Sequence, residues 1–408
     1  MTGQVNIQVL PSTEGFHIGV AELDNPASLN ALTYDMLAQL HEALAHWQDD
    51  DTVACVVIHA VGEKAFCAGG DVRAMYQQMH QAREVVQEAE QADSTQVGQE
   101  PSLRHEAALK AMQYLTDYFT LEYQTDYLIH TYPKPIIVWG GGIVMGGGMG
   151  LYMGASHRIT TPDSRLAMPE INIGLYPDVG GTWFLNQLPA GVGMFLGLTG
   201  AMVNATDALA LSMTDHILLT NQREALFSAL QQAQWLDASI FSTVDQVLSD
   251  LGENAIDAYP ETQMLPYLPA IQAACHSGSL ASICQRIDAL PRIAHAPQSE
   301  KWLDQAQTAL REGSPITAHI CYRQLTQFHN ESLADCFRME LTLSVRCGDL
   351  GEFYEGVRAR LIEKTGQPAW QYADVTKVDD DVIDQLFTPL WADYEHPLQT
   401  LGEQFYLH

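Results

Sequence analysis

The chain has 408 residues, 47% of them hydrophobic, with 50 acidic against 20 basic side chains and a formal charge of −30. Its length exceeds one ordinary core and suits a large domain plus a second unit. A surface this acidic repels nucleic acid and anionic membrane, so an anionic ligand has to be met by a local basic patch or by backbone N–H groups.

The N-terminus lacks a basic start followed by an apolar run, which speaks against a secretory leader. "VNIQVL" (5–10) and "FHIGVAELD" (16–24) are β-rich and read as a hairpin around Pro11–Gly15. In "SLNALTYDMLAQLHEALAHWQDDD" (28–51), Leu32, Met36, Leu40, Ala43, Leu44 and Trp47 recur at helical spacing, with Asn30 or Thr33 as the N-cap. "ACVVIHAVG" (54–62) suits a buried strand. The Gln- and Glu-rich stretch 80–107 reads as a helix and a solvated loop. "KPIIVWGGGIVMGGGMGLYMGA" (134–155) starts as a strand and passes through glycines into an apolar helix, and "HRITTPDSRLAMPE" (157–170) opens as a third strand.

This alternation of strand and helix is an α/β pattern. Past position 190 the β signals fade and helical patterns dominate, as in "TNQREALFSALQQAQWL" (220–236), "SLADCFRMELTLSVRC" (332–347) and "EFYEGVRARLIEK" (352–364). The expected layout is an α/β core over 1–200 and a mostly helical region over 201–408. No stretch of about 18 uncharged apolar residues marks a membrane span. The seven cysteines form no CxxC pair. An odd number without pairs points to a reducing compartment, here the cytoplasm, with no membrane partner.

Two glycine joints follow strands. One runs through Ala68, Gly69 and Gly70, the other through Gly146, Gly147 and Gly148. Glycine there permits a tight turn and close approach of a ligand to the backbone. Neither matches GxGxxG, so a Rossmann dinucleotide site is disfavoured. Taken singly each is a tight turn in a packed domain; taken together they can aim two N–H groups at one oxygen. "MPEINIGLYPDVGGT" (168–182) adds two acids, Glu170 and Asp178, to an otherwise apolar, Gly- and Pro-shaped stretch. Without further context Glu170 reads as a loop or helix-cap acid and Asp178 as an Asx-turn residue before Gly180. Cys67 in "AFCAGG" has no His partner indicated and reads as a small buried hydrophobe. The scattered histidines show no HExxH, so no metal site is expected.

"LDNPASLNAL" (23–32), "KAFCAGGDV" (64–72), "GGIVMGGGMGL" (141–151), "AMPEINIGLYPDVGGT" (167–182), "LGLTGAMVNATDALAL" (196–211) and "EGVRARLIEK" (355–364) together resemble the crotonase, or enoyl-CoA hydratase/isomerase, superfamily. The resemblance implies a spiral core of ββα units and acyl-CoA substrates, with coenzyme A as part of the substrate and no separate cofactor. It places the thioester oxygen on the N–H groups of Gly70 and Gly147. A typical hydratase carries one acid just after the glycine turn, and that position here is Gly150. The acid in "PE" is Glu170, and Asp178 stands where a hydratase commonly has a small residue. The pair, with "GVRARLIEKTGQPAWQYADVTKV" (356–378), resembles the 3-hydroxyisobutyryl-CoA hydrolase branch. That branch implies a role in valine degradation and a further substrate-side acid twelve residues before Lys134, which is Glu122.

On this reading Glu170 activates water or attacks the carbonyl, the sequence leaving both open. Asp178 binds the substrate hydroxyl or assists proton transfer. Two acids in one apolar site repel, and burial disfavours the charged form, so one titrates above its ordinary range. Glu122, Gly147, Glu170 and Asp178 are the expected substrate contacts. Lys64, Arg73, Arg358 and Lys364 lie in motif segments and could supply charge for the CoA phosphates, but exposed Lys and Arg more often merely solvate a surface, and none is assigned as a contact. Two alternatives stand beside the hydrolase: an enoyl-CoA hydratase or isomerase, and a catalytically silent binding protein of the same fold. The resemblance also implies trimers or paired trimers, while the enlarged C-terminal part could cover that surface. Homo-oligomer and monomer both stay open.

Overall fold

The computed structural model describes residues 3–91, 100–236, 239–293 and 297–403, with side chains described outside 86–105. Among the described residues, ten strands form two sheets. The larger has the order β1 (Gln4–Pro11), β2 (His17–Asp24), β3 (Val53–Ala60), β5 (Ile136–Gly140), β7 (His157–Thr160) and β10 (His216–Ile217). The smaller has the order β4 (Ala65–Cys67), β6 (Ile143–Met145), β8 (Arg165–Ala167) and β9 (Val203–Asn204). Only β1–β2 and β8–β9 pair antiparallel. Each successive β pair therefore steps from the large sheet to the small one and then into helix: β3–β4 into α2 (Val72–Gln91) and α3 (Glu100–His130), β5–β6 into α4 (Gly147–Met153), β7–β8 into α5 (Gly181–Gln187) and α6 (Val192–Thr199). This is the expected spiral of ββα units.

Local chemistry explains the elements. All eight residues of β3 are buried, because apolar clusters pack on both faces of the sheet. Val56 and Ile58 face the large core, while Val57 faces a second layer built with helices Arg223–Gln232 and Ile240–Gly252. Helix α1 (Tyr34–Asp49) buries Met36, Leu37, Leu40, Leu44 and Trp47. Its N-cap is Thr33, whose Oγ1 accepts from Met36 N at 3.2 Å. Asn30, the other candidate, instead donates its amide to Ala65 O at 2.9 Å and pins the loop to β4.

The β structure extends past the boundary expected at 200, since β9 and β10 lie beyond it. Both are two-residue strands, too short to leave a period-2 pattern. The large core runs from Val5 to Leu398, so the C-terminal helices share it with the spiral. Of the stretch 80–107, expected as a helix and a solvated loop, residues 92–99 lie outside the described residues. The late pattern "EFYEGVRARLIEK" divides into an α-helix, Glu352–Val357, and a π-turn, Arg358–Ile362.

Candidate active site

The two glycine joints meet. After β4 the chain turns through Gly69 at φ 116°, and after β6 through Gly146 at φ 51°, conformations that L side chains resist. A Cβ on Gly147 would stand 3.2 Å from Gly70 N. Gly147 is the first residue of α4, so its N–H has no acceptor within its own helix. Gly70 N–H meets no acceptor among the described residues. Gly70 and Gly147 both line a cavity of about 320 Å³.

Glu122, Glu170 and Asp178 line the same cavity. They come from three places: helix α3, the 3-10 turn Glu170–Asn172, and the loop entering α5. A side chain at Gly146 would stand 3.2 Å from Glu170 Oε1, and one at Gly147 would meet Glu122 Oε1. Glu170 and Glu122 each keep a buried carboxyl oxygen with no hydrogen-bond partner, whereas Asp178 Oδ2 accepts from Tyr123 OH at 2.7 Å. Burial pushes all three carboxyls up. Asp178 reaches about 7, opposed by the Tyr123 bond, while Glu170 and Glu122 go well above the ordinary range, with the Asp178 charge adding to burial. The three cannot all be ionised together near neutral pH.

The turn that carries Asp178 is held from behind. Val179 sits at φ 52°, a strained setting for a β-branched residue, and Gly180 follows at φ 85°. Glu340, on helix Leu333–Leu350, accepts from Gly180 N and Thr182 N, each at 2.8 Å. Tyr123 and Tyr176 both share the Ser344 hydroxyl, at 2.6 and 2.8 Å. The C-terminal helix thus fixes the acid loop of the spiral.

Every site residue expected from the sequence borders this one cavity. The basic residues do not. Arg358 is tied to Glu355 at 2.7 Å and to Glu363, and Lys64, Arg73 and Lys364 are exposed. The cation that lines the cavity is Arg360, whose Nε is buried without a partner. Asp126 and Glu340, both fully buried acids beside the site, also went unread. For Asp126 the signal was its place one helical turn after Glu122. Nothing in the local sequence singles out Glu340. Burial pushes the Cys67 thiol up to about 12, consistent with a packed hydrophobe.

The fold is a crotonase-type spiral of ββα units with two glycine joints and three acids lining one cavity, and the chain belongs to the enoyl-CoA hydratase/isomerase family, whose model matches residues 18–387. It is similar to the mitochondrial 3-hydroxyisobutyryl-CoA hydrolase of Gallus gallus, 32% identical over 91% of this chain and 86% of that one. It also resembles small ribosomal subunit protein mS47 of Neurospora crassa, 30% identical over 89% of this chain and 68% of that protein. Among solved structures, an enoyl-CoA hydratase from Rhodobacter sphaeroides 2.4.1 matches at TM-score 0.73 and 28% identity, covering 95% of this chain and 98% of that one. The hydrolase relative is mitochondrial by name and lends no support to a cytoplasmic location. Among the described residues no helix is long and apolar enough to cross a membrane.

Proposed function

We propose that the protein hydrolyses a short, branched β-hydroxyacyl-CoA thioester, with 3-hydroxyisobutyryl-CoA the substrate best supported, giving the hydroxy acid and free CoA. One observation carries this reading: Glu170 and Asp178 border the cavity beside the Gly70 and Gly147 N–H groups, while the hydratase acid position is a glycine, Gly150. The name of the Gallus gallus relative supports it. The thioester oxygen sits between the two N–H groups, which stabilise the charge that develops as the carbonyl is attacked. Glu170 faces the carbonyl as general base or as nucleophile. Asp178 and Glu122 hold the substrate hydroxyl. Coenzyme A enters with the substrate, and no other cofactor takes part.

The test is thiol release from 3-hydroxyisobutyryl-CoA, with crotonyl-CoA hydration beside it and Glu170→Gln as control. Release that the variant abolishes supports the hydrolase. Loss of the crotonyl double bond without thiol release would move the protein to the hydratases. A single turnover in heavy-oxygen water separates the two roles of Glu170. Label enters the Glu170 carboxylate only through an anhydride, and enters the product directly from a general-base attack. The ribosomal relative motivates one further control, a low-salt gel shift with RNA; the charge of −30 predicts no shift.

A further inference from the structure

Glu122, Asp126 and His130 follow one another at four-residue intervals on helix α3, so they share one face. Helix α4 and its C-cap present Gly147, Gly150 and Gly154 against that face. A Cβ on Gly147 would meet Glu122 Oε1, one on Gly150 would stand 2.5 Å from Asp126 Oδ2, and one on Gly154 would stand 2.9 Å from His130 Cδ2. Three absent side chains therefore form a slot, and three titratable side chains lie in it. Every one of them keeps buried polar atoms without a partner: Glu122 Oε1, both carboxyl oxygens of Asp126, and His130 Nε2.

Such atoms are rarely left unsatisfied; enclosed water is their usual partner. Space-filling alone does not account for Asp126. It is fully buried, it does not line the cavity, and an apolar side chain would occupy the slot at lower cost. What the row does is connect. It starts at Glu122 on the cavity wall and ends at half-buried His130, edge-on to Trp183 at 5.6 Å.

We propose that Glu122, Asp126 and His130, bridged by enclosed water, form a proton exit along α3 for the proton that thioester hydrolysis releases while the CoA product still fills the cavity mouth. This rests on the hydrolase reading. In that reaction a water O–H bond and the C–S bond break and a C–O bond forms. The departing thiolate takes one of the water protons. The other is left over once the product acid ionises, so each turnover releases one proton. Asp126, held protonated by burial and by the charges of Glu122, Asp178 and Glu340 that face it, passes on its O–H proton as it accepts another on its second oxygen. His130 is held neutral, its pKa lowered to about 4 by burial with Arg158 adding, so one ring nitrogen can accept while the other releases. Asp126 and His130 act through Glu122 and touch no substrate.

The test is a stopped-flow single turnover of 3-hydroxyisobutyryl-CoA in weak buffer, with a pH indicator for the proton and a thiol reagent for released CoA. In the unmodified protein the proton leads the thiol. In Asp126→Asn, whose amide keeps the volume but cannot relay, the proton slows about tenfold or more and becomes coincident with the thiol. His130→Gln does the same. Coincident signals in the unmodified protein, or a lead that survives both substitutions, overturn the path. Should Asp126→Asn fail to fold, the unmodified trace and His130→Gln decide. Absence of thiol release from the unmodified protein would overturn the hydrolase reading and the path with it. Thiol release with a coincident proton would overturn the path alone.

Discussion

A methyl group added at Gly147 would stand 3.2 Å from Gly70 N and against Glu122 Oε1. On the proposed reading it would crowd the thioester oxygen out of its place between the two N–H groups. Gly147→Ala is therefore expected to lower kcat about 10²- to 10³-fold, the usual loss for one oxyanion donor, as read by thiol release. Glu170→Gln keeps the shape but removes the base or nucleophile, and a loss of about 10²-fold or more is expected in the same assay. The pH profile follows from the raised carboxyls. A base titrating above its ordinary range must lose its proton to act, so kcat/KM should rise with pH above the usual carboxylate range, because burial and the Asp178 charge hold the Glu170 carboxyl well up. A rate already flat from pH 5 upward would contradict a protonated cluster. Gly70, Glu122, Gly147, Glu170 and Asp178 were readable because each sits in a short motif. Asp126 and Arg360 were not, since what distinguishes them is the neighbour across the slot or cavity.

At the scale of elements, the acid loop depends on a helix far along the chain. Glu340 accepts the N–H groups of Gly180 and Thr182 inside the core. Glu340→Ala strands two buried donors and should cost about 2–5 kcal/mol, measured by denaturant unfolding. Burial also raises the Glu340 carboxyl to about 8, against the pull of its bonds to Thr182 and Gly180. A carboxyl whose folded pKa lies above its unfolded one stabilises fully below the unfolded value, and that contribution is lost as pH rises through the folded one. The melting temperature should thus fall between about pH 4.5 and 8, and Glu340→Gln should flatten the fall. The helical period of residues 332–347 was plain in the sequence. Which of its residues met the acid loop was not, because periodicity names a buried face without naming what lies opposite.

Across the whole molecule, spiral and C-terminal helices share one core, and Arg360 and Leu361 close a cavity whose acids come from the first half. A fragment ending after Ile217 keeps the ten described strands but loses helix Leu333–Leu350, whose Phe337 and Ser344 cover Tyr123 and Tyr176. It should bind a hydrophobic dye and show no sharp thermal transition. A cooperative melt from that fragment would show that the spiral is stable alone. The large negative charge bears on partners and solubility, while the apolar periodicities bear on the fold.

Hydrophobic period and glycine-punctuated strand ends were enough to determine the α/β pattern and the helical second half, while the spiral and the roles of the acid- and glycine-bearing motifs came from their resemblance to the crotonase superfamily. These are properties of contiguous residues, and the chain states them locally. The tertiary structure alone decided which of two candidates capped α1, where the last two strands lay, that Arg360 lines the cavity and that Asp126 and Glu340 lie buried beside it. Those outcomes depend on contacts between segments far apart in the chain, such as Gly70 and Arg360, and on charges whose protonation is set by burial, which no local pattern encodes.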